Sequence, residues 1–570
     1  MRDVAAGMPV SPQSYVHGAC ARPLLGETIG TNLERIVEQW PDRDAVIVCH
    51  QGVRWSYADL NDAVDELAAG LLAIGLEPGD RVGIWAPNGA EWVATQFATA
   101  KAGLVLVNIN PAYRLAELAY ALDKAGCSAL VTAASFKTSD YLAMLRELIP
   151  ELDGARPGAL ESGRFPRLRA IVCIGEKATA GVLSYAEVAG GGGSAERERL
   201  GALAGQLQFD DPINIQFTSG TTGTPKASAL THHNILNNAF FAAAQMAFSE
   251  DDRLCIPVPM YHCFGMVLGS LLCVTHGAAM VYPSAGFDAR ATLEAIESER
   301  CTALHGVPTM FIAELEQPEF GRFDLSSLRT GIIAGAPCPV ELMHRLIDEM
   351  HLAEITIGYG MTETGPLSFQ TSPDDPVERR VDTVGRVSPH TEVKIVDELG
   401  RVVPRGEPGE LLTRGYCVMP YYWDDPERTA KAIDRTRWIA SGDVATLDAE
   451  GYCRIVGRLK DMVIRGGENI FPREIEEFLF EHPKIADVQV VGVPDPKYGE
   501  ELCACVKLHA GAVAEEAEIR GFCEGKIAHF KIPRYIVFVE GFPMTVTGKV
   551  QKYLLRQEMS EKLGLGRAKA

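Results

Sequence analysis

Short apolar runs and helical stretches alternate through roughly the first 200 residues, and few folds accommodate that rhythm. Thr31–Trp40, Tyr57–Ala73, Glu91–Ala102 and Ala116–Ala125 read as helices, the second opened by Ser56 as its N-cap. Ala45–Cys49, Arg81–Trp85, Leu104–Asn108 and Ala129–Thr132 read as the strands between them. A βαβα order predicts parallel sheets covered by helices. The glycine run Gly190–Ala195 reads as a flexible surface loop. Glu410–Arg414 and Tyr452–Val456 look like strands of a smaller β-rich unit. Past Lys460, the alternating stretch Asp487–Val493, the strand Leu502–Leu508 and two helical stretches suggest a compact α+β unit of about 110 residues. No internal repeat occurs, and 570 residues leave room for about three or four domain-sized units. The expected class is α/β: a large N-terminal domain of parallel and mixed sheets flanked by helices, a β-rich subdomain, and a small α+β C-terminal domain.

Composition narrows the function classes. The chain is 47% hydrophobic and 23% charged, an ordinary globular mix. Its net charge of −21 argues against nucleic acid or anionic membrane as a partner. From Arg458 onward there are 17 basic and 17 acidic residues, and from Arg520 onward 10 basic and 4 acidic. A locally basic end on an acidic protein suits a small polyanion. Fourteen cysteines form no C-x-x-C pair, and no H-E-x-x-H occurs, so free thiols in a reducing cytoplasm are expected rather than disulfides or zinc. The segment Met1–Cys20 lacks the apolar core of a signal peptide. The longest apolar run, Gly265–Val281, is broken by Gly269, His276 and Gly277, and suits a buried helix and strand better than a membrane span.

The strand Ile213–Phe217 runs into a loop of unusual composition: Thr218, Ser219, Gly220, Thr221, Thr222 and Gly223, closed by Lys226. Such a loop exposes backbone N–H groups and hydroxyls to phosphate oxygens, and Lys226 adds a point charge. Its G-x-x-G-x-x-K spacing differs from the G-x-x-x-x-G-K-[ST] of a P-loop NTPase. The segment resembles the phosphate loop of the adenylate-forming superfamily, which includes acyl-CoA synthetases, peptide-synthetase adenylation domains and luciferases. Four further motifs of that family follow in order: Tyr359–Glu363, Ser441–Asp443, Gly457–Glu468 and Pro543–Lys549. The resemblance extends from about Thr31 to Lys552.

The resemblance implies a two-step reaction. A carboxylic acid attacks the α-phosphate of ATP to give an acyl-adenylate and pyrophosphate, and coenzyme A then displaces AMP. A negative carboxylate must approach a negative triphosphate, so charge neutralisation and positioning dominate. By resemblance, Glu363 holds Mg²⁺, with Thr362 beside it on the α-phosphate. Tyr359 and Gly360 meet adenine, with Gly335, Ala336 and Pro337 lining the base. Asp443 accepts from the ribose hydroxyls, Arg458 contacts ribose or phosphate, and Lys549 bridges carboxylate and α-phosphate. Lys460 marks the pivot of a mobile C-terminal domain. That implies an N-terminal ATP- and acyl-binding domain at 1–457, a hinge at 458–460 and a mobile domain at 461–570. Gly466, Gly467 and Glu468 would then face the pantetheine of CoA.

His262, in Met260–Gly265, is implied to gate the acyl pocket or orient the carboxylate, and His305–Thr309 to form another wall. No acidic residue lies between Ile256 and Ser270, where an amino-acid-activating relative places an Asp. Met266, Val267, Leu268, Val307 and Met310 make the pocket apolar. The pattern looks most like medium-chain fatty acyl-CoA synthetases, with aromatic and short thioether acids as alternatives. Luciferase-like chemistry, or a non-catalytic nucleotide sensor on the same fold, are the rival classes. Homodimerisation, and acetylation of Lys549 by a lysine acetyltransferase, stand as further expectations. No stable membrane insertion is expected.

Overall fold

The computed structural model describes residues 12–175, 179–218, 225–544 and 550–565. Two compact units make it up, one from the described residues of 12–16, 393–412 and 440–565, the other from 17–392 and 413–439.

The larger unit is built on two sheets. The first has the order Leu183–Ser184, Ala170–Ile174, Ala129–Ala133, Arg81–Trp85, Val105–Asn108, Pro212–Thr218, Lys226–Thr231, Tyr421–Tyr422. Its first six strands pair in parallel and the last two pair antiparallel. The second, nine-stranded sheet runs in parallel register from Asp44–Val48 through Ala279–Tyr282, Arg253–Cys255, Ala303–Leu304 and Thr330–Ala334 to Glu354–Gly360. Antiparallel strands close both of its edges.

Buried strands of this kind must be apolar on both faces, and these are. In Ala129–Ala133, Val131 packs into a core with Ile84, Leu67, Phe97 and Ala239, and this core also takes Val46 and Met280 from the second sheet. Leu130, one residue earlier, packs on the opposite face with Leu118, Leu122 and Tyr141. A further core covers the outer face of the second sheet through Ile333, Ile357, Leu293 and Leu346. One helical layer is thus shared between the sheets, and each sheet has its own outer layer.

The expected helices and strands of the first 200 residues are present, within a residue or two at their ends. Ser56 caps Tyr57–Ala73 through Asp59 in a reciprocal capping box. The glycine run is a correction. Helix Tyr185–Ala189 ends just before it, and helix Ser194–Ala204 begins inside it. Its residues close against helix Tyr57–Ala73, where a Cβ on Gly192 would lie 2.4 Å from the Ala69 Cβ. At Gly192 the missing Cβ serves this close approach. The facing Gly70 is tighter still, with a Cβ there only 1.7 Å from the Val188 carbonyl oxygen.

The smaller unit contains a five-stranded sheet of Tyr15–His17, Thr391–Val396, Gly409–Gly415, Ile439–Leu447 and Cys453–Arg458. A second sheet pairs the long strands Ile485–Asp495 and Gly499–Leu508 antiparallel, with Tyr535–Phe538 parallel to the latter. Three helices accompany it, Pro472–Phe480, Glu516–Cys523 and Lys552–Lys562, one more than expected. None of the fourteen cysteines forms a disulfide, and twelve of them are buried. Among the described residues no helix is long and apolar enough to cross a membrane, and no three or more His, Cys, Asp or Glu side chains gather in a way that could hold a metal ion.

Replacing Gly70 with Ala should force the helix off Val188 and destabilise the larger unit by roughly 1–3 kcal/mol. A lowered thermal midpoint is the expected outcome, and an unchanged midpoint would show that the close approach is relaxed at no cost.

Candidate active site

Ligands of open α/β sheets collect outside the carboxyl ends of the strands, and the motif residues of the larger unit lie there. Strand Pro212–Thr218 ends at Thr218, and its antiparallel partner begins at Lys226, with Thr218 and Lys226 opposite one another. Ser219, Gly220, Thr221, Thr222 and Gly223 lie outside the described residues. In the second sheet, strand Glu354–Gly360 leads into a one-turn helix, Thr362–Thr364, that presents Glu363. Gly360 is needed on the way, because a Cβ there would sit 1.9 Å from the Pro366 carbonyl oxygen.

The two strand ends meet through the Glu363 carboxylate, which is only 9% exposed. Thr218 Oγ1 donates to Glu363 Oε1 at 3.3 Å, and the Tyr422 hydroxyl donates to the same oxygen at 2.8 Å. Lys226 Nζ donates to the Tyr422 oxygen at 3.1 Å and stays 3.9 Å from Glu363 Oε1. Burial, followed by the neighbouring Glu363, pushes the Tyr422 phenol up, so its hydroxyl keeps its proton and remains a donor. Tyr422 belongs to no sequence motif. It lies 196 residues from Lys226 and 59 from Glu363. An aromatic run, Tyr421 to Trp423, was the one available signal. On the opposite side of that strand a cavity of about 500 Å³ opens between Lys124, Arg167 and Trp423, and no motif residue lines it.

Thr362 lies 3.7 Å from Cys263 Sγ. Beside it, His262 caps the short turn Cys263–Gly265, its Nδ1 accepting from the Phe264 N–H at 3.1 Å. With Nδ1 an acceptor, a neutral His262 carries its proton on Nε2. The next six residues, Met266–Leu271, form a buried π-helix. Such segments leave irregular carbonyls, and two buried side chains satisfy them. Gln96 Nε2 donates to the Met266 carbonyl at 3.0 Å, and His305 Nε2 to the Leu268 carbonyl at 3.0 Å. Gln216 Nε2 approaches Met266 Sδ at 3.0 Å and continues a buried amide chain through Asn214 to Asn108. Met266, Val267, Val307 and Met310 are all buried, the last two being 8% and 7% exposed. Gln96, Gln216 and Asn214 escaped the sequence reading, since polar residues in apolar stretches carry no spacing signal.

Tyr359 stacks obliquely on Phe369 at 6.1 Å. Gly335 adopts a left-handed φ of 90° directly after strand Thr330–Ala334, and opens the turn that continues through Ala336 and Pro337.

In the smaller unit, Ser441 anchors a tight turn by donating to the Leu411 carbonyl at 2.7 Å and accepting from the Asp443 N–H at 3.0 Å. Asp443 is cross-strand to Arg458, whose Nε lies 3.1 Å from Asp443 Oδ1. Glu410 accepts from the Gly442 N–H at 3.3 Å, and burial pushes its carboxyl up. Lys460 sits in the one-turn helix Leu459–Asp461 directly after the strand. Gly466 and Gly467 form a two-residue hairpin between Val463–Arg465 and Glu468–Ile470, with φ of 60° and 93°. Two positive φ values are what such a hairpin requires, so a turn alone accounts for both glycines. Lys549 lies outside the described residues, but the ends of its loop are tied by a Met544–Val550 bridge and by the Gln551 N–H donating to the Pro543 carbonyl at 2.8 Å.

Family models match over most of the chain: "AMP-binding enzyme" over residues 33–423 and "AMP-binding enzyme C-terminal domain" over residues 474–549. The chain is 48% identical over 566 residues to a protein of Danio rerio named medium-chain acyl-CoA ligase ACSF2, mitochondrial, covering 99% of this chain and 93% of the relative. It is 49% identical to the putative acyl-CoA synthetase YngI of Bacillus subtilis (strain 168), covering 95% and 99%. Among solved structures, it is similar to the anthranilate CoA ligase AuaEII in complex with anthranoyl-AMP, with a TM-score of 0.83 and 26% identity, covering 95% and 99%. ATP-bound MatB from Rhodopseudomonas palustris gives a TM-score of 0.79 at 28% identity, covering 94% and 99%.

Burial also holds three imidazoles of the larger unit uncharged: His232 is pushed down to about 3, His276 and His305 to about 4. Unfolded, each would take up a proton near 6.5. The unfolded chain therefore binds more protons below that pH, and stability present above about 6.5 should be lost as pH falls toward 4, at about 1.4 kcal/mol per pH unit for each imidazole. Denaturant midpoints between pH 7.5 and 5 measure this slope. His305→Gln should make it shallower by up to about 1.4 kcal/mol per pH unit, and an identical slope would remove His305 from the account.

Proposed function

The chain belongs to the AMP-binding enzyme family, and from that membership we propose how its residues perform the reaction. It is an AMP-forming acyl-CoA synthetase that uses ATP, Mg²⁺ and coenzyme A. A carboxylate oxygen bonds to the α-phosphorus of ATP as pyrophosphate leaves, and the CoA sulfur then bonds to the acyl carbon as AMP leaves. The juxtaposition of Lys226 and Glu363 at two converging strand ends, 3.9 Å apart, supports this function most directly.

Lys226 binds the phosphates together with the hydroxyls and N–H groups of Thr218–Gly223. Magnesium favours hard oxygen ligands and is commonly held by one carboxylate plus substrate phosphates. The donors gathered here fit that demand: the buried Glu363 carboxylate, with the Thr218 hydroxyl on it and Thr362 preceding it in the same helical turn. When bound, the ion neutralises charge on the phosphate oxygens. Tyr359, Gly360 and Gly335–Pro337 take the adenine. Asp443 accepts from the ribose hydroxyls, and its pairing with Arg458 aims the carboxylate. His262, donating from Nε2, orients the substrate carboxylate. Lys549 bridges that carboxylate and the α-phosphate. We place a pivot at 458–460, between an N-terminal domain at 1–457 and a mobile domain at 461–570. Rotation at Lys460 would withdraw Lys549 and bring Gly466, Gly467 and Glu468 to the pantetheine.

Medium-chain fatty acids are the proposed acids, because the pocket walls Met266, Val267, Val307 and Met310 are aliphatic and no acid lies among them. Two relatives named medium-chain acyl-CoA ligase ACSF2, from Danio rerio and Homo sapiens, support the same choice. Fourteen cysteines without a disulfide support a reducing compartment, which we take to be the cytoplasm, although the ACSF2 relatives carry the word mitochondrial in their names. A homodimer, and an acetyltransferase acting at Lys549, complete the proposal.

Pyrophosphate release should rise with chain length to a maximum at about six to twelve carbons, each buried CH₂ adding up to about 0.8 kcal/mol of binding. Faster turnover of acetate or of a free amino acid than of octanoate would overturn the substrate assignment. Lys549→Ala, or acetyl-lysine installed at position 549, should abolish adenylation but still convert supplied acyl-adenylate to thioester. Lys460→Pro should do the reverse, since Pro fixes φ at the pivot. Equal loss of both half-reactions in both variants would refute the two-state assignment.

A further inference from the structure

Tyr422 stands between a cation and an anion that would otherwise meet. Lys226 and Glu363 are close enough for a direct charge-assisted hydrogen bond, yet Nζ stops 3.9 Å from Oε1. The phenolic oxygen bridges them from one side, accepting from Lys226 at 3.1 Å and donating to Glu363 at 2.8 Å. The Lys226 ammonium also lies 5.0 Å from the Tyr422 ring centroid, which gives it a second reason to stay on the tyrosine.

The tyrosine is itself well fixed. Its strand pairs with Lys226–Thr231, placing Ser228 opposite Tyr422. The neighbouring Trp423 N–H donates to the Ala227 carbonyl at 2.7 Å, and the Tyr422 N–H to Thr429 Oγ1 at 2.9 Å. The side chain is 4% exposed, whereas Lys226 is 31% exposed and has room to move.

Two consequences follow from the spacing. Oε1 of Glu363 is taken by the Tyr422 and Thr218 hydroxyls, and Oε2 has no hydrogen bond to any described residue, so one oxygen is held and the other is presented. Lys226 gives one of its three N–H donors to Tyr422 and keeps the others for phosphate. A direct Lys226–Glu363 pair would instead neutralise the carboxylate and draw the ammonium away from the phosphate loop.

We propose that Tyr422 is a positioning residue that holds Lys226 off Glu363 and so keeps the ammonium for phosphate and the carboxylate for the metal ion. The inference rests on the roles given above to Lys226 and Glu363.

Tyr422→Phe removes the hydroxyl and keeps the ring. Binding of Mn²⁺ in the presence of a non-hydrolysable ATP analogue, followed by electron paramagnetic resonance, should weaken about 10- to 100-fold, the range expected for an outer-shell partner of a metal ligand. The kcat/KM for metal–ATP in pyrophosphate release should fall by a similar factor, while transfer from supplied acyl-adenylate to CoA stays near wild type. In a Lys226→Ala background the same change should have little further effect, because no ammonium is left to hold off. Equal loss of both half-reactions would reduce Tyr422 to a structural role and overturn the inference. So would a Tyr422→Phe effect of the same size with and without Lys226. Glu363→Gln separates the premises: if Mn²⁺ binding survives it, the metal assignment fails and the inference with it. If Glu363→Gln abolishes binding while Tyr422→Phe leaves it intact, only the role of Tyr422 fails.

Discussion

A buried carboxylate with hydroxyl partners organises the larger unit. Glu363 is a charge almost removed from water, and an uncompensated charge there would be too unfavourable to persist. Two hydroxyls and a lysine one hydrogen bond away make it tolerable. Each comes from a different part of the chain: Thr218 from the end of a parallel strand, Tyr422 from an edge strand, and Lys226 from the hairpin partner of the first. The registers of two sheets must all be correct for these groups to converge. Gly360, which lets the chain pass the Pro366 carbonyl, belongs to the same requirement.

The acyl side of the site meets a different constraint. Walls built for a hydrocarbon must be apolar, but a π-helix leaves carbonyls that would be unsatisfied there. Gln96 and His305 satisfy two of these carbonyls from behind. Ile332 donates its N–H to His305 Nδ1 at 3.0 Å, which sets the tautomer and leaves Nε2–H for Leu268. The buried imidazole is neutral for the same reason that it is useful: burial disfavours the cation, and the neutral ring supplies one acceptor and one donor. The pocket can therefore be greasy on its face while these two carbonyls are bonded behind it.

In the smaller unit, local turns dictate most of the placement. Ser441 closes the turn that carries Asp443, and antiparallel register puts Arg458 opposite it. The Gly466–Gly467 hairpin shows how one residue pair can satisfy two demands. Left-handed backbone is needed for the turn whatever binds there, so these glycines would be present even without a ligand.

Features that depend on short stretches of chain were legible in the sequence. The βαβα order, the Ser56 cap, the strand before Thr218 and the apolar run after Gly265 each follow from propensity and hydrophobic period within a few residues. The order of motifs, from the phosphate loop to the Lys549 loop, was legible because chemistry constrains residue type and spacing there. Tertiary structure decided the rest. The glycine run read as a flexible surface loop because nothing local shows that Ala69 and Gly70 press against Gly192. Tyr422 drew no notice in the sequence because its partners are 59 and 196 residues away. Gln96 and Gln216 looked like exceptions in apolar stretches until the carbonyl and the sulfur they meet came into view. A hydrogen bond between distant segments leaves no period in the chain, since its geometry exists only once sheet register and helix packing have brought the two partners together.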